Sequence, residues 1–337
     1  MQTSIRADLL SEIAELTPAG FDATALAVFR YQAAYNPLYA RYLALLRRDP
    51  LAVTGLAEIP FLPIALFKRY DVQTDVWTPA GVFTSSGTTG QTTSRHLVRD
   101  PEEYLGNARR GFAHFYGDPA GWCFLALLPS YLERAGSSLV AMADYFIGLS
   151  RYPESGFFLN ELDQLQRTLR HCRATGIPTV LLGVSFALLD FAEQHPMDLS
   201  GVLVMETGGM KGRRRELTRA ELHHTLRQAF NVSGVHSEYG MTELFSQAYS
   251  QPEPADPERV LFTPAPTMQV LTTETNDPFC PAAPGRSGVL NIIDLANLDT
   301  CSFIATEDVG KVYADGRFEV LGRLDAAEMR GCNLMIE

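Results

Sequence analysis

The sequence predicts an α/β fold in which helices cover mostly parallel sheets and a β-rich subdomain completes the same body. Three observations carry that prediction. Helical and strand-like segments alternate through the middle of the chain, the strand-like segments are short apolar runs, and from Arg259 onward strands and turns replace the alternation. The chain has 337 residues, 46% hydrophobic and 20% charged, enough to bury one large core or two smaller ones. The expected division is a helical N-terminal segment (1–60), an α/β core (61–258) and the β-rich subdomain (259–337).

Taken in order, apolar and aromatic positions recur at helical spacing through "ALAVFRYQAAYNPLYARYLALL". Pro60 and Pro63 then fix an extended segment in "IPFLPIALFKRYDV". "LDQLQRTLRHC" places Leu162, Leu165, Leu169 and Cys172 on one helical face and stops near Gly176 and Pro178, where the strand "TVLLG" begins. "FALLDFAEQH" reads as helix and "GVLVMET" as strand. "TRAELHHTLRQAF" reads as helix, with Thr218 and Glu221 spaced as a capping box, and "GVHSEYG" as strand. The C-terminal part offers "RVLFTP", "GVLNIIDL" and a hairpin turning at Asp315 and Gly316 in "KVYADGRFEVLG". Parallel sheets bind ligands beyond the carboxyl ends of their strands. Those ends are Gly183–Ser185, Thr207–Gly212 and Tyr239–Glu243, and the hydroxyl-rich loop after Val82 and Phe83 is expected at the same rim.

Lys and Arg total 28 against 39 Asp and Glu, a net charge of −11, which argues against non-specific binding to nucleic acid or an anionic membrane. No run of about 18 apolar residues occurs, and the N-terminus has no leader pattern, so a cytoplasmic protein with no membrane insertion is expected. The five cysteines, Cys123, Cys172, Cys280, Cys301 and Cys332, match no metal-ligand spacing and are expected as reduced thiols.

The motif that raises the question of function is "VFTSSGTTGQTTSR", Val82 to Arg95: hydroxyl groups and two glycines in a row, a composition suited to holding an oxyanion. A P-loop needs a lysine after its last glycine, and here Gln91 follows Gly90, so the motif is not one. "GVSFA" has Ala187 where a nucleophile elbow needs glycine, which weakens a Ser185 hydrolase. His223 and His224, adjacent on a helix, cannot share a metal and are expected on its solvated surface; His236 is expected to face the core. "SEYGMTE" offers an aromatic ring, a close-approach glycine, a hydroxyl and a carboxylate at a strand end.

"FTSSGTTG", "TGGMKG", "EYGMTE", "TEDVG" and "GRLDAAEMRG" occur in the order found in adenylate-forming enzymes, the acyl-CoA synthetase and luciferase superfamily, which the chain resembles from about Ile59 onward. "IPFLPIALFK", "LPSYLERAGSSL" and "RGCNL" are similar to its acyl-protein synthetase (LuxE-like) and phenylacetate-CoA ligase-like branch. The resemblance implies the large domain of such an enzyme, using ATP and magnesium to activate a carboxylic acid, a fatty acid in the LuxE-like case. It assigns Ser85, Ser86, Gly87, Thr88, Thr89 and Gly90 to the phosphate loop, Gly208 and Gly209 to the adenine loop, and Tyr239 and Gly240 to the adenine side. Thr242 matches the α-phosphate contact, Glu243 the magnesium ligand, and Asp308 and Arg323 the ribose contacts.

Several features depart from the superfamily pattern. The chain stops a few residues after "GRLD", so the small C-terminal domain and its catalytic lysine are expected to be absent. The lysine that usually follows the phosphate loop is replaced by Arg95 further on, which leaves Lys68 and Lys211, with Lys211 preferred as the catalytic cation. In the LuxE-like group a C-terminal cysteine takes the acyl chain and passes it to a partner reductase; Cys332 occupies a matching place, with Arg330 near enough to depress its pKa. The implied partners are a carboxylic acid and an acyl-accepting reductase, a carrier protein or coenzyme A. Two alternatives accompany the acyl-protein synthetase: an acyl- or aryl-CoA ligase, and a non-catalytic ATP- or acyl-binding subunit.

Overall fold

The computed structural model describes residues 2–85, 93–128, 136–208 and 217–324. In chain order the helices are α1 (Gln2–Ala14), α2 (Phe21–Tyr35), α3 (Pro37–Leu45), α4 (Pro101–Tyr116), α5 (Ser138–Leu149), α6 (Leu162–Thr175), α7 (Ser185–Gln194) and α8 (Arg219–Phe230). The strands are β1 (Leu62–Pro63), β2 (Gly81–Thr84), β3 (Arg95–Val98), β4 (Cys123–Leu127), β5 (Gly156–Phe157), β6 (Thr179–Val184) and β7 (Leu203–Thr207). They continue with β8 (His236–Tyr239), β9 (Ala248–Ser250), β10 (Thr263–Pro264), β11 (Met268–Thr273), β12 (Ser287–Asp294), β13 (Phe303–Val312) and β14 (Phe318–Arg323).

The chain divides into two units, one made of Met1–Val76 with Pro266–Glu337 and the other of Trp77–Ala265. The breaks anticipated near 60 and 258 therefore fall at 76 and 265 here, and the first and last segments share a unit. Sequence patterning reports local periodicity, whereas the pairing of distant segments is set by side chains such as Gln32. Its amide, fully buried on α2, donates to the carbonyls of Asn297 and Leu298, each at 3.0 Å, and accepts from Ser302 N at 2.9 Å.

In that unit the sheet runs β1-β13-β12-β11 with β14 on β13, and β1 is its parallel member. Asn36 and Thr74 both bind the Thr300 carbonyl, and Phe29 and Tyr39 lie against Phe303, so α2 and α3 are built onto the β13 end. The extended segment expected from Pro60 and Pro63 is shorter than anticipated. After Pro63 the chain turns into 3-10 helix over Ile64–Lys68, because Pro63 fixes only its own φ and the residue before it.

The second unit holds the sheet β10-β9-β8-β7-β6-β4-β5, parallel from β5 to β8 and antiparallel at β9 and β10. Every residue of β6 is buried, as expected of a parallel strand covered on both faces. Helix α6 buries Leu165, Leu169 and Cys172 and ends on Gly176 at φ +71°, a left-handed cap that glycine adopts freely. The capping box forms as read: Thr218 Oγ1 accepts from Glu221 N and the Glu221 carboxylate accepts from Thr218 N. Cys123, Cys172 and Cys301 are buried and Cys280 exposed, all free; Cys332 lies outside the described residues. Among the described residues no helix is long and apolar enough to cross a membrane.

Candidate active site

The parallel strands end flush. Val184 lies opposite Thr207, and Thr207 opposite Glu238, so the carboxyl ends of β6, β7 and β8 share one level. From β6 the chain enters α7 at Ser185, whose hydroxyl is shared between Glu206 Oε2 at 3.0 Å and the Gly208 carbonyl at 3.2 Å. That hydroxyl fixes the start of the glycine loop, and Gly208 itself turns at φ +71°. A serine hydrolase is not what this geometry builds, since Ser185 is buried and bonded to a carboxylate and a carbonyl.

Glu206 anchors a buried polar network on the α8 face. His223 Nε2 lies 3.7 Å and Arg219 Nε 3.8 Å from Glu206 Oε1, and Ser237 Oγ is 3.2 Å from His223 Nε2. Burial works to raise the Glu206 carboxyl, but His223, the Arg219 charge and the Ser237 hydroxyl outweigh it and hold the group below its ordinary value. The expectation that His223 and His224 both sit on solvated surface is corrected. Successive helix residues point about 100° apart, and here that turn sends His223 into the core at 1% exposure and leaves His224 outside against Glu258 at 2.7 Å.

Side chains of β8 alternate between the two faces. Tyr239 falls on the α8 face, its ring 5.6 Å from that of Phe262, over which the Arg219 guanidinium lies at 5.0 Å. Glu238 falls on the α4 face. Its Oε2 accepts from the Thr207 hydroxyl, and burial, reinforced by the Glu206 charge and opposed by Thr207 and Arg219, pushes its carboxyl up to about 7. His236, two residues earlier on that face, meets Tyr116 Oη at 3.2 Å, and burial lowers its imidazole to about 4. Gly240 is required by its neighbour: a Cβ there would sit 2.5 Å from Glu238 Oε1.

The apolar pair Val82 and Phe83, which leads into the hydroxyl-rich stretch, lies outside the parallel sheet. β2 pairs with β3 in a separate antiparallel ribbon, in register Thr84 to Arg95, and the loop joins the two. Ser85 closes its neck: its N–H donates to the Ser94 carbonyl at 3.1 Å and its Oγ accepts from Ser94 N at 2.9 Å. The ribbon is nonetheless tied to the strand ends. His96 on β3 donates from Nδ1 to the Thr242 carbonyl at 2.8 Å, and Phe83 on β2 stacks edge-on against Tyr104 and Phe245 at 4.8 and 6.3 Å. Burial holds the His96 imidazole neutral, at about 4. The chain from Tyr239 through Gly240, Thr242 and Glu243 therefore lies under this ribbon, with Glu243 only 5% exposed.

In the other unit, Asp308 and Arg323 are cross-strand partners on β13 and β14, with Arg323 Nε 3.2 Å from the buried Asp308 Oδ1. Ser86, Gly87, Thr88, Thr89, Gly90, Gly209, Lys211 and Cys332 lie outside the described residues. Sequence reading missed His96, Glu206 and Glu238. For the two glutamates the available signal was an acidic residue within a parallel strand, after the apolar pair of "VMET" and inside "HSEY", which a buried strand tolerates only for a partner.

Among the described residues no cluster of three or more His, Cys, Asp or Glu side chains is arranged to hold a metal. A single carboxylate such as the buried Glu243 suits magnesium in charge and donor type, since the ion commonly binds through one or two carboxylates and completes its shell with substrate phosphates and water.

No protein-family profile matches the chain, and no curated protein sequence matches it. Solved structures do. An open conformation of 2-hydroxyisobutyryl-CoA ligase in complex with 2-HIB-AMP and CoA matches over 92% of this chain and 72% of its own, with a TM-score of 0.64 at 15% identity. The chain shares the fold of that ligase. ATP-bound MatB from Rhodopseudomonas palustris shares this fold with a TM-score of 0.54 at 15% identity, over 74% of this chain and 50% of that one. The amide bond synthetase McbA from Marinactinospora thermotolerans shares it at 0.50 and 17% identity, over 82% and 53%. The chain spans about half the length of the MatB structures it matches. The motifs from Ser85, Gly208 and Tyr239 belong to one unit and those from Asp308 and Arg323 to the other.

Proposed function

We propose that the chain activates a carboxylic acid with ATP. A carboxylate oxygen attacks the α-phosphorus, the bond to the bridging oxygen of pyrophosphate breaks, and acyl-adenylate and pyrophosphate leave the step. The observation that supports this reading is the flush ending of β6, β7 and β8, from which the Gly208 and Tyr239–Thr242 segments leave, the latter bonded to the β2–β3 ribbon through His96, in a fold shared with ATP-bound MatB and with a CoA ligase holding 2-HIB-AMP. Magnesium, when bound, would neutralise charge on the phosphates as they separate. Glu243 would hold it, Tyr239 would stack on the adenine, Thr242 would orient the α-phosphate, and Asp308 with Arg323 would bind the ribose. Hydrogen-bond donors aimed at the developing charge do the remaining work, each at a typical value of about 3–4 kcal/mol.

The acyl acceptor that the structural likeness favours is coenzyme A, by analogy with the CoA ligase. The acyl-protein synthetase reading keeps a specific support in "RGCNL": transfer of the acyl group to the Cys332 thiolate releases AMP and leaves a thioester for a partner. Acid-dependent exchange of labelled pyrophosphate into ATP tests the common step, and its absence across aliphatic, hydroxy, amino and aryl acids defeats the proposal. Appearance of a coenzyme A thioester, against covalent labelling that Cys332→Ser abolishes, separates the acceptors.

A further inference from the structure

A buried carboxyl group is costly unless its oxygens find hydrogen-bond partners. Glu238, 5% exposed at the end of β8, has one: Thr207 Oγ1 donates to Oε2. Oε1 points toward Gly240, where a Cβ would come within 2.5 Å, and forms no hydrogen bond among the described residues. The unmet demand is shared by its neighbours. Tyr249 stands opposite Glu238 in the β8–β9 register, and its buried hydroxyl has no partner among the described residues; neither has the buried Gln247 Oε1. Two of these three atoms only accept when Glu238 is ionised, and the third does either. Glu238 and Tyr249 share the α4 face, Tyr249 against Phe115 and Tyr116, and Glu238 stands one residue before Tyr239 and four before Thr242 in the chain.

We infer that Glu238, with Tyr249 and Gln247, selects an acid whose side chain carries a hydrogen-bond donor, an ammonium or hydroxyl group, over the hydrocarbon acid of equal size. The inference rests on the adenylation reading above, which brings the acid to Thr242, and it replaces a plain fatty acid with a polar one. A hydrocarbon tail would give no donor to Glu238 Oε1 or to the buried Gln247 Oε1 and Tyr249 hydroxyl, and sites built to hydrogen-bond a substrate group reject analogues lacking it far more strongly than apolar pockets reject a missing methylene. A purely structural carboxyl would show no such discrimination.

Two matched series test it: propionate, lactate and alanine; hexanoate, 6-hydroxyhexanoate and 6-aminohexanoate. Each acid is assayed by pyrophosphate exchange and by titration calorimetry on wild type, Glu238→Gln and Glu238→Leu, with melting curves confirming that the variants fold. In at least one series the donor-bearing acid should exceed the plain acid by about tenfold or more in kcat/KM. Glu238→Leu should collapse that ratio to near unity, and Glu238→Gln should keep a hydroxy acid better than an amino acid. A wild-type preference for the plain acid in both series, or a donor preference that survives in Glu238→Leu, overturns the inference. Exchange with no acid defeats the adenylation reading instead, and calorimetry then decides Glu238 alone: donor-bearing acids that bind wild type and not Glu238→Leu sustain its role, and binding by none removes it.

Discussion

Glu238 and His96 are buried titratable groups with opposite consequences for stability. The Glu238 carboxyl is raised to about 7 by burial, so the folded chain keeps a proton that the unfolded chain releases. Stability is therefore undiminished below the ordinary carboxylate range and falls as pH rises toward 7, by about 3 kcal/mol in all. Glu238→Gln should be more stable than wild type by roughly that amount at pH 8.5 and by little at pH 4, as read by urea unfolding. His96 works at the other end. Its imidazole is lowered to about 4 by burial, so its contribution is complete above the ordinary histidine range and is lost as pH falls from there toward 4. His96→Asn should flatten that acid limb while retaining a donor for the Thr242 carbonyl, and denaturant midpoints between pH 4 and 7 would measure it.

Among the elements, the short strands explain what could and could not be foreseen. The helices α6 and α8 and the strands β6, β7 and β8 were legible because their signals are local: a hydrophobic face, a capping box, an apolar run bounded by glycine. The ribbon β2–β3 was not, because Val82 and Phe83 read as an apolar pair in either a parallel strand or a hairpin, and only the register with Leu97 and His96 distinguishes them. The motif residues Tyr239, Thr242 and Asp308 were recognised by likeness, whereas Glu206 and Glu238 were passed over since their meaning lies in what surrounds them. One element offers a sharp test. Gly310 of β13 would place a Cβ 2.1 Å from the Glu319 carbonyl and 2.8 Å from Leu290. Gly310→Ala should displace β14 and with it Arg323 from Asp308, at a cost above about 3 kcal/mol. Faster hydrogen exchange confined to 318–323 would register that displacement.

At the scale of the whole molecule, the N-terminal helices are held to a sheet more than two hundred residues away by buried polar bonds rather than by any nearby sequence. Gln32→Leu would strand the carbonyls of Asn297 and Leu298 and the amide of Ser302. Each buried group left unpaired costs about 1–3 kcal/mol, so the variant should lower the denaturant midpoint markedly. Because Gln32 belongs wholly to the first unit, circular dichroism and tryptophan fluorescence should reveal that unit melting ahead of the other if the two are separable.

The interleaving of the units also has an order in time. A ribosome delivers α1, α2 and β1 first, but β1 pairs with β13 and the helices lean on residues 297–303, which emerge some two hundred residues later. The segment from Trp77 to Ala265 has all its strand partners in hand by then. The part made earliest thus waits for the part made last, its apolar helices exposed on the nascent chain meanwhile, which is where a chaperone would be expected to attend to this protein.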